Sequence, residues 1–234
     1  MRFREKFSGS PAAVRVAPFV IFVLLTAAQG KFGAASVYWF YLAKTLVGLW
    51  LIIEIRPLIA EMRWAISWEA VLVGVGIFAV WVGISGEWTT QSSLWVKLGL
   101  AHPPEKFVAD WNPAEQFGAG SALAWLFIST RIVGSTLIVP PLEEVFYRSF
   151  LYRYIANHEF LSVPLNRFLL TPFLVTALVF GFSHNEWFAG ILCGAAFQWL
   201  VLRKNRLGDA MTAHAITNFL LGLWVVTRGA WQFW

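Results

Sequence analysis

Glu143 and Glu144 lie side by side in the run Val139-Pro-Pro-Leu-Glu-Glu-Val-Phe-Tyr-Arg148, within one of the most apolar parts of the chain. An ionisable side chain at membrane depth is expensive, so such residues are rare and usually functional. On a helix, Glu144 and Arg148 are i,i+4 neighbours and can pair. Glu143 lies roughly 100° further round and can face elsewhere. The spacing therefore predicts a division of labour: Glu144 and Arg148 support the helix, while Glu143 addresses a substrate. A carboxylate in a poorly solvated cavity holds its proton more tightly and suits a general base for water. The plainer reading is a pair of interfacial acids favoured by a helix dipole.

Two further groups belong beside this one. His184 ends the apolar run Phe180-Gly-Phe-Ser-His184. Taken alone it reads as a hydrogen-bonded or interfacial histidine, with Phe180 as packing or a wall of a site. His214 and Asn218 are four apart, so both fall on one face of an otherwise nearly apolar helix. An interhelical hydrogen bond is the plain account of that pair. The chemical account gives His214 a metal or a substrate oxygen and makes Asn218 a donor to developing negative charge. Carboxylate, two imidazoles and an amide are the parts needed to activate a water and stabilise an oxyanion. Weaker candidates surround them. Arg131 lies mid-span and needs an acid, with Glu143 or Glu144 in reach, or a cavity. Lys44 snorkels or faces the interior. Gly190 and Gly194 permit close helix packing. His102 and His158 read as loop histidines. There is no His-Glu-x-x-His run, which argues against a zincin-type metalloprotease, and no Gly-rich phosphate loop or nucleophile elbow.

The elements that must hold these residues are membrane helices. The chain has 234 residues, 58% hydrophobic and 13% charged. Its mean hydropathy is +0.63. Soluble domains carry about 25% charged residues. Fourteen Trp and 21 Phe suit lipid contact and interfacial belts. The expectation is an all-α, polytopic transmembrane helical bundle of about seven to eight membrane helices. Spans are predicted at 14–34, 36–55, 69–86, 119–139, 165–183, 187–203 and 209–227, with 142–157 a further, less apolar helix. Pro140-Pro141 should break or kink the chain before the glutamates. The loop 87–118, rich in Trp, reads as interfacial. Residues 1–118 form N-terminal membrane helices and this loop; 119–234 form the core that carries the chemistry, in one compact membrane domain.

The net charge of +5 reflects loop lysines and arginines facing the cytoplasm, not nucleic acid. With the N-terminus inside, Arg2, Arg4 and Lys6, Arg56 and Arg63, and Arg203, Lys204 and Arg206 fall on the inner side. Only Lys31, Lys97, Lys106 and Arg228 fall outside. Met1–Lys6 and the apolar run to Ala28 resemble a signal peptide, but an uncleaved first span is expected. No lipidation motif is visible. One cysteine, Cys193, excludes an internal disulfide and a Cys-rich metal site. Straight, full-length helices do not gather Glu143, His184, His214 and Asn218 in any simple threading. At least one helix must be short, tilted or broken within the membrane, which is tolerated where backbone is buried or lines a wet cavity.

Glu143-Glu144-x-x-x-Arg148, Phe180-x-x-x-His184 and His214-x-x-x-Asn218 resemble, in order, the three motifs of the CPBP family. That family includes the type II CAAX prenyl endopeptidases and bacteriocin-processing or self-immunity proteins. The resemblance covers about residues 119–227; the Trp-rich loop is similar to that of the bacterial CAAX prenyl protease-related branch. It implies an intramembrane endopeptidase acting on a membrane-associated peptide or protein in a bacterial inner membrane. It implies that Glu143 polarises water with His184 as partner, that His214 and Asn218 stabilise the oxyanion, and that Glu144 and Arg148 are structural. Glu143, His184 and His214 can bind zinc, or act without metal as base and oxyanion hole; the sequence leaves both open. The alternatives are a non-catalytic immunity or adaptor protein that keeps the motifs for packing, and a proton-coupled transporter, which the lack of repeated halves disfavours.

Overall fold

The structure is a computed structural model that describes residues 3–102 and 111–234. Arg2, Pro103, Pro104 and the loop cation Lys106 lie outside the described residues. Among the described residues the chain is all-helical, with one isolated bridge between Thr90 and Glu186. The α-helices in order are α1 (Phe3–Phe7), α2 (Pro11–Ala27), α3 (Ser36–Ile55), α4 (Trp68–Ile84), α5 (Gln91–Lys97), α6 (Pro113–Phe117), α7 (Ala122–Val133), α8 (Val139–Glu144), α9 (Tyr152–Ala156), α10 (Leu170–Phe182), α11 (Trp187–Lys204) and α12 (Gly208–Arg228). Their starts are written in the sequence. Ser10, Ser67 and Ser121 cap α2, α4 and α7 by accepting from the backbone N–H three residues on.

Among the described residues, three helical segments are long and apolar enough to span a bilayer: Ser36–Leu58, Ala122–Ala156 and Gly208–Arg228. Pro11–Ala27, Trp68–Ile84 and Leu170–Phe182 are shorter apolar helices. Ala122–Ala156 is one run of 35 residues, so 119–139 and 142–157 are not separate helices and Pro140-Pro141 does not break the chain. The winding changes instead. A π-helical turn at Gly134–Ile138 precedes the prolines and another at Val145–Leu151 follows Glu144. Restarting the α-helix at Val139 places both prolines in its first turn, where no N–H is missed.

The chain divides into two compact units. The first comprises Met1–Met62, Ala109–Phe146 and Asn218–Trp234. Here α2 packs on α3, and α3 on α7 and α8. Its core is aromatic: Tyr38, Tyr41, Trp111 and Phe127 are buried together, with Phe117 and Trp234 against them. Arg15 is buried and paired with Glu61 at 2.9 Å. The second unit comprises Arg63–Val108 and Tyr147–Thr217. Here α11 packs on both α10 and α4. The α10–α11 contact is backbone to backbone, since a Cβ on Gly190 would sit 2.9 Å from the Gly181 Cα. Buried Glu69 at the start of α4 receives Lys204 at 2.8 Å. Asp209 opens α12 and binds Arg206; that carboxylate raises the guanidinium above its ordinary value by hydrogen bond and charge.

Candidate active site

The second unit contains both His184 and His214. α10 is only 13 residues long and ends two residues before His184, so the last carbonyls of the helix need partners. The Phe180 carbonyl takes three of them: the Ser183 N–H, the Ser183 hydroxyl at 2.7 Å and His184 Nδ1 at 2.7 Å. A carbonyl only accepts, so Nδ1 carries the proton. In the neutral ring Nε2 is then the basic nitrogen. Tyr147 Oη donates to Ser183 Oγ at 3.0 Å and holds the same turn.

A residue that sequence reasoning missed fixes this turn from outside. Gln91, at the start of α5, donates through Nε2 to the Phe182 carbonyl and, at 2.8 Å, to the His184 carbonyl. Its own N–H donates to the Asn185 carbonyl at 2.8 Å. Thr89 bonds Glu186 beside it. No local pattern in the sequence could pair Gln91 with a turn more than ninety residues away.

Phe180 is fully buried and joins the two imidazoles. Its ring centroid lies 4.6 Å from that of His184 and 6.0 Å from that of His214. Arg148, also fully buried, sets its guanidinium 4.9 Å from the same ring. His214 is buried and stacks on Phe197 at 5.1 Å. Its helix is locked to α4 on either side of it: Thr212 Oγ1 donates to the Ala65 carbonyl and Thr217 Oγ1 to the Gly74 carbonyl, each at 2.9 Å. A Cβ on Gly74 would lie 2.8 Å from the Ala213 carbonyl, so only glycine allows that approach.

The first unit contains Glu143, Glu144 and Asn218. Glu144 is fully buried whereas Glu143 is only partly so. The π-helical winding after Glu144 means that Glu144 and Arg148 do not have plain α-helical spacing. Asn218 Nδ2 donates to the Ser135 carbonyl at 2.8 Å, within the π-helical turn at Gly134–Ile138. The carbonyl fixes which amide atom faces it, and the amide keeps a second N–H.

An acid or a cavity is expected for Arg131; the described contacts are with aromatic rings. Its guanidinium lies 4.8 Å from the Tyr41 ring, 4.5 Å from Trp111 and 5.4 Å from Trp234. Aromatic faces, not Glu143 or Glu144, receive its charge. Lys44 faces the interior, as expected, and donates to Thr26 Oγ1 at 3.1 Å. Among the described residues no three or more His, Cys, Asp or Glu side chains are grouped to hold a metal ion.

The class is an all-helical integral membrane protein with acid, imidazole and amide side chains set in apolar helices. Residues 129–220 match the family model described as Type II CAAX prenyl endopeptidase Rce1-like. That stretch carries every motif residue named above, and the match bears out the resemblance to the CPBP family membrane proteases. The family implies a peptide hydrolase whose substrate is a peptide or protein in the membrane, and it does not favour the adaptor reading. No curated protein and no solved structure matches the chain.

Proposed function

We propose that this protein is an intramembrane endopeptidase that cleaves a membrane-associated peptide with a water activated by Glu143. The family match over residues 129–220 carries the reading, because it spans all three motifs. Glu143 takes a proton from water as the oxygen attacks the scissile carbonyl carbon. His184, through the basic Nε2 that its Nδ1 hydrogen bond leaves, orients that water. His214 and the second N–H of Asn218 stabilise the tetrahedral oxyanion. As the C–N bond breaks, Glu143 returns the proton to the leaving amine. Glu144 and Arg148 hold the helix.

The distribution of lysine and arginine supports a cytoplasmic N-terminus, and the proposal places seven to eight spans in a bacterial inner membrane. The test is quantitative proteomics of membrane peptides from cells carrying the wild-type protein against cells carrying Glu143→Ala. Cleavage products should vanish in the variant while the protein still accumulates in the membrane. Products persisting at wild-type levels would refute the assignment.

A further inference from the structure

The turn between α11 and α12, in the second unit, gathers charge that the reaction does not use. Arg203, Lys204 and Arg206 lie in it. The stretch that leads into α4 runs against it: a Cβ on Gly208 would collide with the Arg63 carbonyl and the Ala65 N–H, so the two backbones touch. Thr212 fastens the same stretch through the Ala65 carbonyl. Arg63 is thereby held beside the turn. Two buried carboxylates answer part of this charge. Glu69 receives Lys204 at 2.8 Å and Arg203 at 3.6 Å, and Asp209 receives Arg206. The acids lie behind and the guanidinium groups in front, since the side chains of Arg203 and Arg206 are 54% and 50% exposed. Arg63 is exposed as well, and among the described residues no carboxylate lies within ion-pair distance of it. Four cations face two carboxylates, which leaves two positive charges in excess.

The surroundings point to what would neutralise that excess. Two apolar helices end here: α4 starts at Trp68 and α11 stops at Lys204, and the Lys204–Glu69 bond joins those ends. Trp64, Ile66 and Trp68 are exposed beside Arg63, and Trp199 is exposed one turn before Arg203. The Arg203 guanidinium lies 5.7 Å from the Trp199 ring. Tryptophan at the ends of apolar helices marks headgroup depth. At that depth a guanidinium fork meets phosphate oxygens, which it matches in shape and charge. Basic pockets between helix ends suit anionic headgroups, while the tryptophans and Ile66 offer apolar surface to the acyl chains. A soluble anion would gain nothing from that apolar rim. A choline headgroup carries no net charge to set against the excess.

We propose that Arg63, Arg203 and Arg206 bind the phosphate of an anionic membrane phospholipid. The bound phosphate ties the Arg63 stretch to the turn from which the helix of His214 starts. The proposal does not depend on hydrolysis. The purified full chain is placed in nanodiscs of phosphatidylcholine alone, or of phosphatidylcholine mixed with phosphatidylglycerol, and followed by hydrogen–deuterium exchange. Peptides covering 62–68 and 203–210 should exchange on the order of fivefold more slowly with phosphatidylglycerol. Peptides from α10 should exchange alike in both lipids. The variant carrying Arg63→Gln and Arg203→Gln should lose the difference between the lipids. It leaves Lys204 and Arg206 as the close partners of the two buried acids, so the turn keeps its internal pairs. If that variant fails to accumulate, Arg63→Gln alone should shrink the difference. Equal exchange in the two lipids overturns the proposal, as does a difference that survives the substitutions. Slowing of α10 to the same extent would show a general effect of surface charge and overturn it too. Inorganic phosphate added to phosphatidylcholine nanodiscs should leave exchange unchanged; slowing equal to that by phosphatidylglycerol would make this a soluble-anion site and refute the lipid assignment.

Discussion

His184 shows how one hydrogen bond sets a residue's chemistry. Its Nδ1 faces a carbonyl that can only accept, so the ring presents Nε2 as a base. Two other side chains keep that arrangement in place. Gln91 holds the turn by its carbonyls, and Phe180 supports the rings of both histidines. Gln91→Ala should remove two side-chain bonds, each contributing about 1 kcal/mol. Hydrogen–deuterium exchange of the segment 182–187 should then quicken roughly tenfold or more while α11 stays protected; unchanged exchange would show that Gln91 does not restrain the turn. Phe180→Ala deletes a fully buried ring and should destabilise the protein by about 3–5 kcal/mol. Phe180→Leu should cost less, and thermal unfolding in detergent orders the two. Asn218 tests the amide: Asn218→Asp keeps the shape but puts a carboxylate against the Ser135 carbonyl, so it should abolish cleavage while Ser135 itself tolerates Ala.

Helices position these residues through departures from ideal form. α10 spans about 20 Å at 1.5 Å per residue, short of the roughly 30 Å hydrocarbon layer. The run through Glu143 changes from α to π winding on either side of Val139–Glu144. Both departures from a straight, full-length span lie in helices that carry motif residues. Pro140 and Pro141 were legible as irregularity, but not its kind: a π turn lies before them where a break or kink was expected. Close approach matters equally. Gly190 meets Gly181 across α10 and α11, and Gly74 admits the Ala213 carbonyl between α4 and α12. Gly190→Leu and Gly74→Val should each force these helices apart and destabilise by about 1–3 kcal/mol or more. Melting temperature read beside cleavage should show Gly74→Val lowering activity further than its stability loss explains, because its helix partner carries His214.

At the scale of the whole molecule, apolar helices and scarce charge define a membrane protein. Alkaline carbonate extraction should leave the chain in the membrane pellet; release into the supernatant would contradict the reading of Ser36–Leu58, Ala122–Ala156 and Gly208–Arg228 as spans. The aromatic core of the first unit explains how it tolerates Arg131 and Lys44. Cation–π contacts to Tyr41, Trp111 and Phe22 take over part of what water would supply. The sequence left Arg131 an acid, Glu143 or Glu144, or a cavity. The rings that receive it come from residues 41, 111 and 234, which no local pattern links.

Residue type and local spacing alone determined the helical class, the caps, the membrane setting and the identity of the motif residues. Those depend on short-range physics: hydropathy per turn, serine before a helix, and polar groups too expensive to keep idle in an apolar helix. Tertiary structure alone decided the tautomer of His184, the pairing of both imidazoles with Phe180, the hold of Gln91 and the aromatic surroundings of Arg131. Each of those depends on groups far apart in the chain meeting within a few ångströms, and hydrogen-bond direction and ring contact exist only once they have met.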